Sequence, residues 1–147
     1  ERQSSARVAA SRVELVQLRH WAGPEGGFRN PPIEEPAIAA RFNELEHRVD
    51  ALAALEWALT NGDPQPGRGA GALKLLGSEL AQDIAELAIY VAGPEALPMP
   101  DGTGSPVSCN GLDGERTTAN FLFARAHSIY GGTSEVQRTL IARTVHG

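Results

Sequence analysis

Two long segments with apolar residues at helical spacing constrain the fold of this 147-residue chain more than any other feature. Apolar side chains recur at steps of three, four and seven between residues 33 and 61, and again between 71 and 92. This spacing is typical of α-helices with one buried face. Gly62 and the pair Gly93-Pro94 end the two segments, as glycine and proline commonly do. Helices of this length pack antiparallel, so the sequence predicts an up-and-down bundle.

The rest of the chain supplies three more predicted helices, over residues 1–22, 115–130 and 134–145, and no segment alternates like a strand. The predicted fold class is therefore all-α, a single domain made of a four-helix up-and-down bundle with a short C-terminal helix. A loop at 97–114, rich in proline, glycine and serine, is long enough to be functional or partly disordered. The predicted core is Phe42, Leu45, Val49, Leu52, Leu76, Leu80, Ile84, Leu87, Leu122 and Ile129.

Composition excludes several classes of function. The formal net charge of -5 argues against a nucleic-acid partner, because phosphate binding needs a basic face. No apolar run approaches the roughly 20 residues of a membrane span. Cys109 is the single cysteine, which excludes an internal disulfide and favours a reducing, cytoplasmic location. The four histidines lack metal-ligand spacing, so no metal site is expected. The chain opens without methionine, inside a predicted helix, which indicates a fragment of a longer protein.

The most specific motif is YGGTSEVQR at residues 130–138. A glycine pair ends one helix, and the following residues begin another whose free backbone N–H groups can receive an anion or a polar cofactor edge. The motif resembles the C-terminal signature of the acyl-CoA dehydrogenase family, which uses a flavin to desaturate acyl thioesters. Residues 74–86, and an Ala-rich helix that follows Glu1 and Arg2, resemble the same family more weakly. All three blocks fit the family's C-terminal helical domain, without its N-terminal helical and middle β domains.

The resemblance implies FAD as cofactor and acyl-CoA as substrate. In this family a carboxylate removes the proton next to the thioester carbonyl, and the flavin takes a hydride from the next carbon. Many members carry that glutamate at the position of Gly131, where this chain has no side chain. A second group carries it on the first helix of the domain, immediately before an arginine. The resemblance therefore implies that Glu1 is the catalytic base and that Arg2 helps to hold the substrate.

The same resemblance implies that the backbone of Gly132 passes near the substrate, and that Thr133, Ser134 and Glu135 lie against the flavin nucleotide. A simpler interpretation stands beside each assignment. A glutamate at a helix start complements the helix dipole without any catalytic role. Thr133 and Glu135 suit an N-cap and a first helical turn without any ligand.

Two departures from the family pattern concern the flavin. Glu25 and the pair Glu35-Pro36 stand where the family usually has an arginine and a His-Gln pair, and negative charge there is unfavourable for a pyrophosphate. In the family these groups reach across to a flavin held mainly by a neighbouring subunit.

The leading hypothesis is that the chain is part of an FAD-dependent acyl-CoA dehydrogenase, inactive as an isolated fragment. It would assemble as a homo- or hetero-oligomer with related dehydrogenase subunits and pass electrons to an acceptor flavoprotein. The alternative is a non-catalytic partner subunit or oligomerisation domain of a heteromeric dehydrogenase.

Overall fold

The computed structural model describes residues 2–62, 69–96, 108–109 and 112–146, and side chains within 8–62, 69–94 and 116–143. The α-helices of this part are α1 (Arg2–Ala22), α2 (Pro36–Asn61), α3 (Ala70–Ala92), α4 (Gly114–Ala124) and α5 (Ser134–His146). Short 3-10 helices lie at Pro24–Gly26, Pro32–Glu34, Gly93–Ala96 and Arg125–Ser128. Two-residue strands, β1 (Ser108–Cys109) and β2 (Leu112–Asp113), pair antiparallel. The prediction of an all-α fold is confirmed.

Two predicted helix boundaries are wrong, each for a local reason. The second helix begins at Pro36, not at residue 33, because a proline disfavours helical geometry in the residue before it and is well suited to a first helical position. The fourth helix ends at Ala124, not at residue 130. There the chain tightens into a 3-10 helix, in which Ser128 Oγ donates to the carbonyl of Arg125 at 2.9 Å.

Contacts between neighbouring helices show that each of the first three runs antiparallel to the next. Arg12 donates to Asp50 at 2.7 Å, and Arg19 to Glu46 at 3.0 Å, between α1 and α2. Arg48 pairs with Asp83 between α2 and α3, while Leu59 near the end of α2 lies beside Gly69, just before the start of α3. Arg41 also reaches Asp83, at 3.3 Å. Its hydrogen bond with Glu44, and then the charges of Glu44 and Asp83, raise the pKa of Arg41 above its ordinary value. These contacts fix the register of α2 against α3.

Helix α3 lies at the centre of the bundle and packs against each of the other four helices. Most of the predicted core is buried around it: Phe42, Leu45, Val49, Leu52, Leu80, Ile84 and Leu87. Three predicted core residues are exposed instead, namely Leu76 (43%), Leu122 (50%) and Ile129 (63%). The prediction was wrong for them because they lie on sides of α3, α4 and the following turn that no other described element covers.

The alternating helix directions define two ends of the bundle. One end carries the start of α3, the turn between Arg125–Ser128 and α5, and the start of α1. The other end carries the 3-10 helices before α2 and the end of α3. At about 1.5 Å per residue, the 23 residues of α3 separate the two ends by roughly 35 Å. No helix within the described ranges is long and apolar enough to cross a membrane.

Candidate functional site

The predicted site centres on two glycines that join the 3-10 helix Arg125–Ser128 to α5. Gly131 and Gly132, here named the glycine turn, have φ values of 70° and 95°. Both lie in the left-handed region that disfavours residues with a Cβ atom. A Cβ at Gly131 would meet nothing within 4 Å, whereas one at Gly132 would lie 2.8 Å from Gln137 Nε2. The turn is thus open beside Gly131 and closely packed beside Gly132.

Two side chains hold the carbonyls of the glycine turn. Gln137 Nε2, from the first turns of α5, donates to the carbonyl of Gly131 at 3.0 Å. Lys74 Nζ, from α3, donates to the carbonyl of Gly132. Gly71 leaves room for this arrangement, because a Cβ there would lie 2.7 Å from Gln137 Oε1. We call Lys74 and Gln137 the carbonyl clamp.

The start of α5 is capped by its own residues. Thr133 Oγ1 accepts the backbone N–H of Val136 at 3.4 Å, and the Thr133 carbonyl accepts that of Gln137 at 3.0 Å. The carboxylate of Glu135 accepts its own backbone N–H and the Thr133 hydroxyl, and these bonds lower its pKa, with smaller help from the charges of Arg138 and Lys74. Ser134 is buried, at 8% exposure. The simpler interpretation of Thr133 and Glu135 as capping residues is therefore structurally satisfied.

The polar groups of this turn suit an uncharged ligand edge better than a phosphate. No hydrogen bond in the described part of the chain uses the backbone N–H of Gly132 or Thr133. The nearby cations are already engaged, since Lys74 binds the Gly132 carbonyl and Arg138 donates to Glu79 at 2.8 Å. The turn therefore suits a hydroxyl, amide or carbonyl group of a ligand, and a phosphate group there would need its charge neutralised by other groups.

Comparison with known proteins identifies the family. A family profile described as the C-terminal domain of acyl-CoA dehydrogenase matches residues 1–146. This chain belongs to the acyl-CoA dehydrogenase family. It is similar to acyl-CoA dehydrogenase IpdE1 of Mycobacterium tuberculosis (strain ATCC 25618 / H37Rv), with 32% identity over 134 residues, covering 91% of this chain and 31% of that protein.

Further comparisons agree with this acyl-CoA dehydrogenase assignment. IpdE1 of Mycolicibacterium smegmatis (strain ATCC 700084 / mc(2)155) is 29% identical over 141 residues, covering 96% of this chain and 31% of that protein. The chain thus spans about a third of the length of these relatives. The crystal structure of the ChsE4-ChsE5 complex from Mycobacterium tuberculosis superposes with a TM-score of 0.73 at 22% identity. That match covers 94% of this chain and 34% of the other, and it supports the fold.

Some of the predicted site residues lie together in the described structure, and others lie outside its described part. Gly132, Thr133, Ser134 and Glu135 are consecutive at one end of the bundle, as described above. Glu1, the predicted base, lies outside the described residues. Arg2 begins α1 at the same end of the bundle as the glycine turn, but its side chain also lies outside the described part.

Glu25 and Glu35 lie at the opposite end of this acyl-CoA dehydrogenase domain. Glu25 belongs to the 3-10 helix Pro24–Gly26, Glu35 directly precedes α2, and both are exposed. Within one molecule, the length of α3 separates these two residues from the glycine turn. The described residues also contain no group of three or more histidine, cysteine, aspartate or glutamate side chains that could hold a metal ion.

The carbonyl clamp was not predicted from the sequence. Lys74 lies 58 residues before Gly132 in the chain, so no local spacing connects the two. Gln137 is part of the signature motif, but the hydrogen bond to Gly131 appears only once the left-handed turn folds the chain back on α5. Two other carboxylates of α3 also lie near cations, since Glu79 approaches Arg138 at 2.8 Å and Glu86 approaches Arg125 at 4.0 Å.

Proposed function

We propose that this chain is the C-terminal helical part of an FAD-dependent acyl-CoA dehydrogenase that desaturates the α,β bond of an acyl-CoA thioester. One observation carries the proposal: the glycine turn is open beside Gly131, at the same end of the bundle as the start of α1. A carboxylate that arrives from another helix could occupy this space, which a side chain at Gly131 would otherwise fill. The family membership and the resemblance of residues 130–138 to the family's C-terminal signature support the same activity.

The proposed chemistry divides between the cofactor and this chain. When bound, the flavin supplies a hydride acceptor. Glu1 takes the proton from the α carbon, next to the thioester carbonyl, while the β carbon gives up a hydride to that acceptor, so that a double bond is left between the α and β carbons. Arg2 helps to hold the acyl-CoA, and the backbone of Gly132 borders it. Thr133, Ser134 and Glu135 lie against the flavin nucleotide.

The test is a pair of variants in the full-length protein, purified with any related partner subunit. Glu1→Gln removes the base and should lower turnover by about 10²–10⁴-fold, while flavin stays bound. Glu14→Gln, an exposed position on the same helix, is the matched control and should leave turnover unchanged. Unchanged turnover in Glu1→Gln would exclude Glu1 as the base.

A second-site variant tests the same assignment by a recovery of turnover rather than by a loss. Glu1→Gln combined with Gly131→Glu moves the carboxylate to the position that many family members use. The open space beside Gly131 admits the side chain, at a cost of about 1–2 kcal/mol for the left-handed backbone. We expect part of the lost turnover to return. A double variant as inactive as Glu1→Gln would argue that this turn does not border the reacting carbon.

The second candidate function is a non-catalytic partner subunit of a heteromeric dehydrogenase. Two exposed apolar residues one turn apart on α5 favour an assembly interface, Val136 (50% exposed) and Leu140 (48%). The negative charge of Glu25 and Glu35 at the other end favours a chain that does not complete a flavin site in a neighbour. The structurally similar ChsE4-ChsE5 assembly is itself a complex of two differently named proteins.

One measurement separates the candidates, and a second tests the proposed interface. In the first, flavin is counted per chain in the protein alone and with its partner. One flavin per chain in the protein alone supports a self-sufficient enzyme, and one per two chains only with a partner supports the heteromer. In the second, Val136→Asp with Leu140→Asp should dissociate the assembly on a sizing column. In either case we propose a cytoplasmic protein that passes electrons to a separate acceptor flavoprotein.

A further inference from the structure

The two carbonyls of the glycine turn are bound by side chains from two different helices. Gln137 on α5 donates to the Gly131 carbonyl at 3.0 Å, and Lys74 on α3 donates to the Gly132 carbonyl. In a trans peptide the N–H of the next residue points opposite the carbonyl, and no cis peptide occurs in the described chain. The two bonds therefore also fix the directions of the N–H groups of Gly132 and Thr133.

We propose that Lys74 and Gln137 are positioning residues, which hold the substrate-bordering backbone of the glycine turn in one conformation. The inference rests on the proposed function, because that function places the Gly132 backbone beside the acyl-CoA. Two consecutive glycines have the largest conformational freedom that a chain can have. The helical cap begins only at Thr133, so it does not restrain the carbonyls that precede it.

Lys74 has the larger expected effect of the two residues. A hydrogen bond from a charged donor is roughly twice as strong as one between neutral groups. Lys74 also connects the turn to α3, the central helix, whereas Gln137 connects it to the helix that the turn itself begins. Without Lys74 the Gly132 peptide can rotate while α5 stays in place.

The chain offers a matched control for this role. Arg138 on α5 donates to Glu79 on α3 at 2.8 Å, and both side chains are substantially exposed. This ion pair joins α5 to α3, the same central helix that Lys74 connects to the turn, but it does not touch the turn. Lys74→Met and Arg138→Met each remove one cationic link to α3 from the segment 132–138, and only the first releases a glycine carbonyl.

The experiment compares kcat, KM for acyl-CoA and flavin content in the full-length protein with its partner. Lys74→Met should lower kcat by about 10- to 100-fold, because a small displacement of a substrate-bordering group is that costly, while flavin content is unchanged. Lys74→Arg keeps a donor and should restore most of the loss. Arg138→Met should stay within about twofold of the unaltered protein. In flavin-free protein, the labelled carbonyl resonance of Gly132 should shift in Lys74→Met and not in Arg138→Met.

Each adverse result has a distinct meaning. Equal kinetics of Lys74→Met and Arg138→Met, in a protein that does turn over acyl-CoA, would overturn the positioning role alone. A Lys74→Met protein whose entire loss follows from reduced flavin or reduced folding would also overturn it, because that defines a structural role. An unaltered protein that turns over no acyl-CoA would overturn the enzymatic function, and with it the positioning role.

Discussion

Replacing Gly132 with alanine gives a sharp test of the packing around the glycine turn, with Gly131→Ala as its control. Both glycines are left-handed, at φ 95° and 70°, so alanine at either position costs about 1–2 kcal/mol in backbone strain. The environments differ. The added Cβ would meet nothing within 4 Å at Gly131, but would lie 2.8 Å from Gln137 Nε2 at Gly132. In Gly132→Ala the Gln137 amide must therefore move.

We expect that movement to break the hydrogen bond from Gln137 to the Gly131 carbonyl, which is worth about 1 kcal/mol net. We expect Gly132→Ala to lower the free energy of opening this region by about 2–3 kcal/mol, and Gly131→Ala to lower it by about 1–2 kcal/mol. Amide hydrogen exchange along α5 measures the free energy of opening this region, and the difference corresponds to about fivefold in rate. In a Gln137→Ala background the two substitutions should cost the same. Equal losses of opening free energy in the two variants, with Gln137 present, would contradict the close packing of Gly132 against Gln137.

Two further predictions concern stability. Phe42 is fully buried, at 0% exposure, so Phe42→Ala should lower the free energy of unfolding in urea by about 3–5 kcal/mol. Trp57 is 70% exposed, so Trp57→Ala should change that free energy by no more than about 0.5 kcal/mol. Similar losses of unfolding free energy in the two variants would contradict the assignment of the core. The pKa of Glu135 is lowered by its own backbone N–H and by Thr133, so its carboxylate stabilises the fold above its ordinary pKa near ~4.3 and loses that effect as pH falls through the lowered value. Glu135→Gln should therefore lower the thermal unfolding temperature at pH 7, and this difference should shrink as the pH falls through the lowered pKa of Glu135. A pH-independent difference would exclude this carboxylate as the cause.

The bundle could be predicted from the sequence because its information is local. Apolar periodicity and the glycine and proline residues at helix ends predicted the long helices, and the apolar faces of these helices supply most of the core. Periodicity does not indicate which apolar faces are covered by other elements. Leu76, Leu122 and Ile129 repeat at helical spacing as regularly as Leu80 does, yet they are exposed in this chain. In the sequence, an apolar helix face that another domain or subunit covers shows the same pattern as a face that is covered within this domain.

The candidate site was likewise predictable from the sequence only in part. The glycine pair and its following cap were visible as a motif, since Thr133 and Glu135 are neighbours in sequence and in space. The carbonyl clamp was not visible, because it depends on α3 and α5 crossing beside Gly71. The early end of α4 was missed for another reason. No proline or glycine marks it, and the change to a 3-10 helix involves only small shifts in hydrogen bonding, such as Ser128 Oγ to the Arg125 carbonyl.

The central place of α3 also has a consequence for the order in which the chain folds. Helices α1 and α2 can pair first, because they are adjacent in sequence, but they cannot close their core until α3 arrives. Among the described elements, α3 is the main support of α4 and α5, so these two helices are expected to join last. Truncating Leu80 or Ile84 should then slow folding, whereas truncating Ile141 should mainly speed unfolding. During synthesis the signature motif would therefore take shape after the rest of the bundle has formed.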